Sequence, residues 1–287
     1  MKIPALIVTY YPSNKTILNV CELSKNNLVP VILIVDNTGE DNEVLDELAK
    51  IRKVKIIKNE KNMGIAYAQN VGIKYLINES YSFVITYDQD SVIVDNPIQL
   101  FSDYIDSNDM GRIGIITSNY IDKRINKVEY DIKTPILTDV VISSGSVINI
   151  KSFVDVGGMK EYYFMDQVDN EYCYRLVNKN YDILVLPFIG MCHELGNIKM
   201  INILGFKFYT YNQNPMRTYY RTRNSIYFKS EYKDNLLKKK ISRQLRIDFI
   251  KLFFEKSTFK KIKMFLKGKK DGKKWKKINK NNLILFN

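Results

Sequence analysis

The chain has 287 residues, 45% of them hydrophobic, enough for a full core in one large α/β domain or two smaller ones. No run of 18 or more apolar residues exists, so no transmembrane helix is expected; Cys21, Cys173 and Cys192 form no CxxC or zinc spacing, which points away from disulfides and towards a reducing compartment. The net charge of +13 is uneven: from Lys229 onward there are 20 Lys/Arg against 5 Asp/Glu, +15, which leaves −2 for residues 1–228. Charge placed this way implies an anionic surface as partner, either membrane or nucleic acid.

Ala5-Leu6-Ile7-Val8-Thr9-Tyr10 reads as a first buried strand, and Tyr11-Pro12-Ser13-Asn14 as the turn after it. The apolar run at this end is too short for a signal peptide. A helix carrying Ile17, Val20, Cys21 and Leu28 follows, then a strand Val31–Val35 ending in Asp36-Asn37. A helix over about 41–51 leads to a strand at Val54–Ile57 and the turn-rich Asn59–Gly64. The next helix, 65–76, has a face of small residues, Ala66, Ala68 and Gly72. Strands alternating with helices of this length predict a mostly parallel sheet with crossover helices.

The fourth strand, Ser82–Tyr87, ends abruptly in Asp88-Gln89-Asp90-Ser91. Ligands of open α/β sheets sit at the carboxyl ends of the strands. Function is therefore expected at Thr9-Tyr10, Asp36-Asn37, Asn62–Gly64 and Asp88–Asp90. Two carboxylates at i and i+2 repel unless a cation joins them, and a hard divalent ion with oxygen ligands is the usual one. A polar turn closing the strand is the plainer reading of the same residues.

Beyond Pro97 a helix to about 105 precedes a strand at Ile113–Thr117, a polar segment at 118–138 and a loosely alternating run at 140–148. The run is broken by Ser143-Ser144-Gly145-Ser146, where small residues suggest close backbone approach to a ligand. Asp166, Asp169 and Glu171 crowd the start of a helix that continues to about 179. Capping accounts for one of the three acids, and a proton-transfer role is open to the others. His193, the single histidine, follows a strand at Ile183–Pro187 and is a possible third ligand for Mn²⁺ beside carboxylates. From Pro215 the chain reads as helical, with aromatic and aliphatic residues interleaved with lysines. Such helices lie in membrane interfaces, or pack as a hairpin with a solvated lysine face.

These motifs, taken in order, resemble the family-2 glycosyltransferases with the GT-A fold, in particular the rhamnosyltransferase-like branch that builds bacterial surface polysaccharides. The resemblance is carried by Val8–Pro12, Val35-Asp36-Asn37, Asn62–Asn70, Asp88–Ser91, Ile142–Ser146, Gly157-Gly158-Met159, Val168–Arg175, His193–Gly196 and Arg217–Asn224. It implies a Rossmann-like, mostly parallel sheet flanked by helices, with a nucleotide-sugar half at 1–95, an acceptor-binding and catalytic half at 96–214, and a basic helical extension at 215–287.

The resemblance also implies roles. Thr9, Tyr10, Asp36 and Asn37 would form the base pocket. Asn62, Gly64 and Gln69 would line the nucleotide and diphosphate side, and Asp88 the ribose or sugar. Asp90 and His193 would hold Mn²⁺ or Mg²⁺, and Asp169 would be the catalytic base of a single, inverting displacement. Ser144, Gly145, Asp166 and Glu171 would face sugar or acceptor. The Asp-Gln-Asp-Ser form leans towards dTDP-rhamnose as donor, with UDP-hexose or UDP-galactofuranose donors left open. A polyprenyl-diphosphate-linked glycan would be the acceptor, and the basic region would bring a cytoplasmic enzyme to the inner face of the cell membrane. A nucleotidyltransferase is the first alternative, although no Gly-rich loop with a basic residue stands near the N-terminus. A non-catalytic nucleic-acid-binding protein is the second, without a supporting motif.

Overall fold

A computed structural model describes the chain except for residues 123, 126, 193–195, 197, 204–205 and 284–287. The chain divides into two compact units, residues 1–164 with 168–194, and residues 165–167 with 195–287.

The first unit opens with β1 (Ala5–Thr9), α1 (Asn14–Lys25), β2 (Ile32–Asp36), α2 (Glu43–Ala49), β3 (Val54–Lys58), α3 (Ile65–Asn78) and β4 (Phe83–Asp88). It continues with β5 (Val92–Ile93), α4 (Pro97–Ser107), β6 (Ile113–Asp122), β7 (Lys127–Val128), β8 (Ile136–Leu137), β9 (Ser146–Asn149), α5 (Ile150–Asp155), α6 (Val168–Asn178) and β10 (Asp182–Cys192). The main path of the sheet runs β3-β2-β1-β4-β9-β6-β10-β5.

The β-branched runs of β1 and β2 are buried on both faces, as a parallel strand between two helical layers requires. Their parallel register is what builds the rim. Thr9 lies opposite Asp36, and Val8 opposite Asp88. Three polar strand ends therefore emerge at one level. The small face of α3 allows it to lie close on β1: a Cβ at Gly72 would come within 2.4 Å of Leu6 Cδ1.

The second half of the sheet departs from simple alternation. β6 and β10 are parallel, but β9 runs antiparallel between β4 and β6, and β5 antiparallel to β10. The run 140–148 is not one strand. Gly145 has φ +74° and Ser146 N–H donates to Ser143 O at 3.1 Å, so a turn interrupts it and only Ser146–Asn149 pair in the sheet. Part of the polar 118–138 segment extends β6 to Asp122, and β7 and β8 pair at its margins.

The second unit begins earlier than residue 215. Besides α7 (Pro215–Glu231), α8 (Asn235–Lys251) and α9 (Thr258–Leu283), it includes the hairpin β11 (Lys199–Ile203) and β12 (Phe206–Thr210) and the short segment 165–167. α7 and α9 pack closely because Gly268 and Gly272 of α9 meet it. A Cβ on Gly268 would lie 2.6 Å from Tyr219 O, and one on Gly272 2.8 Å from Ile226 Cβ. Tyr227 and Trp275 stack with centroids 4.3 Å apart. Among the described residues, no helix is long and apolar enough to cross a membrane.

Candidate active site

Thr9 and Asp36 form the floor of the rim. Asp36 is fully buried and accepts from Thr9 Oγ1 at 2.7 Å, Thr38 N–H at 2.9 Å and Thr38 Oγ1 at 2.9 Å. A carboxylate offers about four lone-pair sites, so three are committed to shaping the loop after β2. Tyr10 and Tyr11, 48% and 51% exposed, stand above them edge to face.

Asn37 joins two rim segments. Its Oδ1 accepts from Asn59 Nδ2 at 2.9 Å and Met63 N–H at 3.3 Å, and its Nδ2 donates to Gly64 O at 3.2 Å. Asn62 Oδ1 accepts from Gly64 N–H at 2.9 Å. Gly64 must be glycine: its φ is +86°, and a Cβ there would sit 2.5 Å from Phe164 O. Ile65 N–H, the first of α3, donates to the same Phe164 oxygen at 2.7 Å. The start of α3 is thereby stitched to the chain that leads towards α6.

Asp88 to Ser91 form a turn, closed by Ser91 N–H donating to Asp88 O at 3.3 Å. Its first carboxylate is half-buried and its second, Asp90, is exposed. Gln89 between them clasps the Tyr10 backbone, accepting from its N–H at 2.8 Å and donating to its carbonyl at 3.1 Å. Ser144 supports the turn from beneath: its hydroxyl accepts from Asp88 N–H at 3.0 Å and lies 2.8 Å from Ser91 Oγ. Ser144 is 1% exposed, so it holds the turn rather than offering a surface to sugar. Gly145 N–H is spent on Thr86 O at 2.8 Å.

Asp169, in the first turn of α6, lines a small cleft with Ile142, Ser143, Met159, Tyr172 and Cys173. Gln69 reaches the same place from α3, its Nε2 donating to Ser143 Oγ at 3.1 Å. Gln69 is buried, and among the described residues its Oε1 has no hydrogen-bond partner. Burial pushes the Cys173 thiol up to about 12, helped by the Asp169 charge nearby, so it is no nucleophile at neutral pH.

The neighbouring acids are engaged elsewhere. Glu171 is 1% exposed and meets Arg175 through both oxygens, Nε at 2.8 Å and Nη2 at 2.9 Å, with Lys160 Nζ at 2.9 Å. Arg175 also holds Gly158 O at 2.6 Å, so this cluster fastens the Gly157-Gly158 turn. Asp166 belongs to the second unit, where Arg217 and Arg221 donate to it at 3.0 and 3.5 Å. Asn224 holds the backbone of the same segment, donating to Met165 O and Asp166 O at 2.6 and 2.8 Å. Arg217, Arg221 and Asn224 are spaced i, i+4, i+7, a helical face legible in the sequence. His193 lies outside the described residues.

Among the described residues, no three His, Cys, Asp or Glu converge as a metal cage. Mg²⁺-type sites need none, because one or two carboxylates plus substrate phosphates suffice. The oxygen donors of the Asp88–Asp90 turn fit such an ion.

Comparison with known proteins shows the family and the fold. Residues 6–152 match the model of the glycosyl transferase family 2. The chain is 34% identical over 239 residues to the dTDP-rhamnosyl transferase RfbF of Shigella flexneri, covering 77% of this chain and 78% of that protein. Among solved structures, S. aureus TarS 1-349 in complex with UDP-GlcNAc superposes with a TM-score of 0.60 at 13% identity, covering 93% of this chain and 79% of TarS 1-349. GalNAc-T7 with UDP, GalNAc and Mn²⁺ gives 0.57 at 14% identity, covering 80% of this chain and 50% of that one. These two likenesses concern the fold, a mostly parallel GT-A-like sheet. With the family model spanning residues 6–152 and the relative most of the chain, the protein belongs to glycosyl transferase family 2.

Proposed function

We propose that the protein transfers L-rhamnose from dTDP-rhamnose to a hydroxyl of a lipid-linked glycan, with inversion at the anomeric carbon. The observation that carries this reading is the 34% identity to a dTDP-rhamnosyl transferase along 77% of the chain. The exposed Tyr10 offers a ring for the pyrimidine, and the remaining acceptor site of Asp36 its N3–H. Asn62, Gly64 and Gln69 line the nucleotide and diphosphate side, and Asp88 faces ribose or sugar. Asp90, with His193, would hold Mn²⁺ or Mg²⁺, whose charge would stabilise the departing diphosphate.

Asp169 acts as general base. It takes the proton of the acceptor hydroxyl as that oxygen attacks the anomeric carbon, and the bond to the diphosphate oxygen breaks with its electron pair leaving on dTDP. One base and one displacement suffice, so no covalent sugar–enzyme intermediate forms. An acceptor carried on a polyprenyl diphosphate places the reaction at the cytoplasmic leaflet of the membrane.

A donor screen tests the reading. The purified protein with Mn²⁺ or Mg²⁺ is offered dTDP-rhamnose, UDP-glucose, UDP-galactose, UDP-N-acetylglucosamine and UDP-galactofuranose, and melting shift and slow donor hydrolysis are recorded. A metal-dependent response to dTDP-rhamnose, lost in Asp90→Ala, is expected. A response to a UDP-sugar instead replaces the donor, and silence with every donor, membranes supplied, removes the catalytic reading.

A further inference from the structure

Between Asn235 and Trp275 the sequence has 15 Lys/Arg and three acids, Asp248, Glu255 and Asp271. Each acid has an internal partner. Asp248 accepts from Gln244 Nε2 at 2.8 Å, Glu255 pairs with the buried Lys261 at 2.7 Å, and Asp271 accepts from Tyr219 O–H at 3.0 Å. All three are only partly exposed, whereas most of the lysines and arginines are exposed, so the charge that this stretch presents to solvent is predominantly cationic.

Apart from Leu266 on α9, the large exposed apolar residues of this stretch gather along one line. Leu236, Lys239, Arg243, Arg246 and Ile250 are all exposed and follow one another in steps of three and four, a single stripe along α8. Phe253 continues it three residues on. Across the turn into α9, Phe259 is 90% exposed, and Ile250 and Phe253 are 58% and 56% exposed. Lys256 and Lys260 stand exposed between and beside them. The elbow of the two helices is thus an apolar tip with a cationic surround.

This pairing selects among occupants. A nucleic-acid phosphate backbone would use the lysines and leave the phenylalanines in water. A second copy would bring two faces of the same sign together. An anionic lipid leaflet uses both features, since apolar side chains enter the headgroup layer while lysines meet lipid phosphates. We infer that the exposed stripe of α8 and the α8–α9 elbow dock on a bilayer leaflet rich in anionic lipid, with Ile250, Phe253 and Phe259 entering the headgroup layer. The inference rests on the membrane-side acceptor proposed above and adds the surface that meets the membrane.

Co-sedimentation of the full chain with phosphatidylcholine vesicles, with and without phosphatidylglycerol, tests it. Binding is expected only with phosphatidylglycerol and is expected to weaken as salt is raised. Phe253→Ser with Phe259→Ser should weaken vesicle binding by about tenfold per residue, following the apolar area each would bury. Lys256→Gln with Lys260→Gln should weaken it by about fivefold per residue. Both pairs should keep the parent melting temperature and donor hydrolysis. Equal binding to neutral vesicles, unchanged binding in both variants, displacement of vesicles by duplex DNA, or a dimer broken by the Phe substitutions would each overturn the inference. Vesicle binding by a protein that hydrolyses no donor would instead leave the surface standing and remove the transferase reading.

Discussion

Ser144 gives its hydroxyl to the Asp88 N–H and to Ser91 at once, and is almost wholly buried while doing so. Ser144→Ala removes the hydrogen bond to the Asp88 N–H, a loss of about 0.5–1.5 kcal/mol. The expected outcome is a lower melting temperature together with a several-fold higher metal concentration for half-maximal donor hydrolysis. Asp169 is the proposed general base. Asp169→Asn should leave donor-induced melting shifts intact and reduce transfer to acceptor by about 10²–10⁴-fold, the usual share of a general base. Among the acids of this segment, Glu171 is bound to Arg175 and Lys160, and Asp166 to Arg217 and Arg221, while Asp169 lies near Ser143 at the small cleft. The sequence placed all three near one helix start but carried no sign of which arginine each would meet.

At the scale of elements, close approach sets the packing. Gly268 allows α9 to rest on the Tyr219 carbonyl, so Gly268→Leu should cost about 1–3 kcal/mol through overpacking. Trp275 fluorescence should report it, since that indole stacks on Tyr227 of α7; Lys269→Ala, on the exposed side, serves as control. In α8, burial raises the pKa of Asp248, against the opposing charge of Arg221. A carboxyl with a raised folded-state pKa favours folding most when protonated, and this contribution is lost as pH rises through that pKa. Asp248→Asn should therefore melt above the parent at neutral pH, with the gap closing as pH falls below about 4. A gap that persists in acid would show that packing, not charge, is responsible. The strands β1 to β4 and their helices were legible because each is a continuous apolar run or a periodic face. β9 was not, because direction depends on which strands flank it, and the Gly145 turn that shortens it has no periodic signature.

Across the whole molecule, charge and chemistry divide by region: residues 1–228 carry −2 and the remainder +15. The strand-end rim is built of acids and amides, so the diphosphate proposed to bind there would need a cation that offsets both charges. Chelation with EDTA should abolish the donor-induced melting shift, and Mn²⁺ or Mg²⁺ should restore it; a shift that survives chelation would show that the rim binds donor without metal. By itself the sequence determined the alternation of strand and helix, the polar residues at the strand ends, the family and the basic C-terminal region, because these follow from local pattern and from motifs in order. Only the tertiary structure decided that Gln69 meets Ser143 near Asp169, that Ser144 supports the Asp88 turn, and that Glu255 pairs with the buried Lys261 and Asp271 with Tyr219. Those facts depend on contacts between residues distant in the chain, or on which face of a helix is covered, and local periodicity specifies neither.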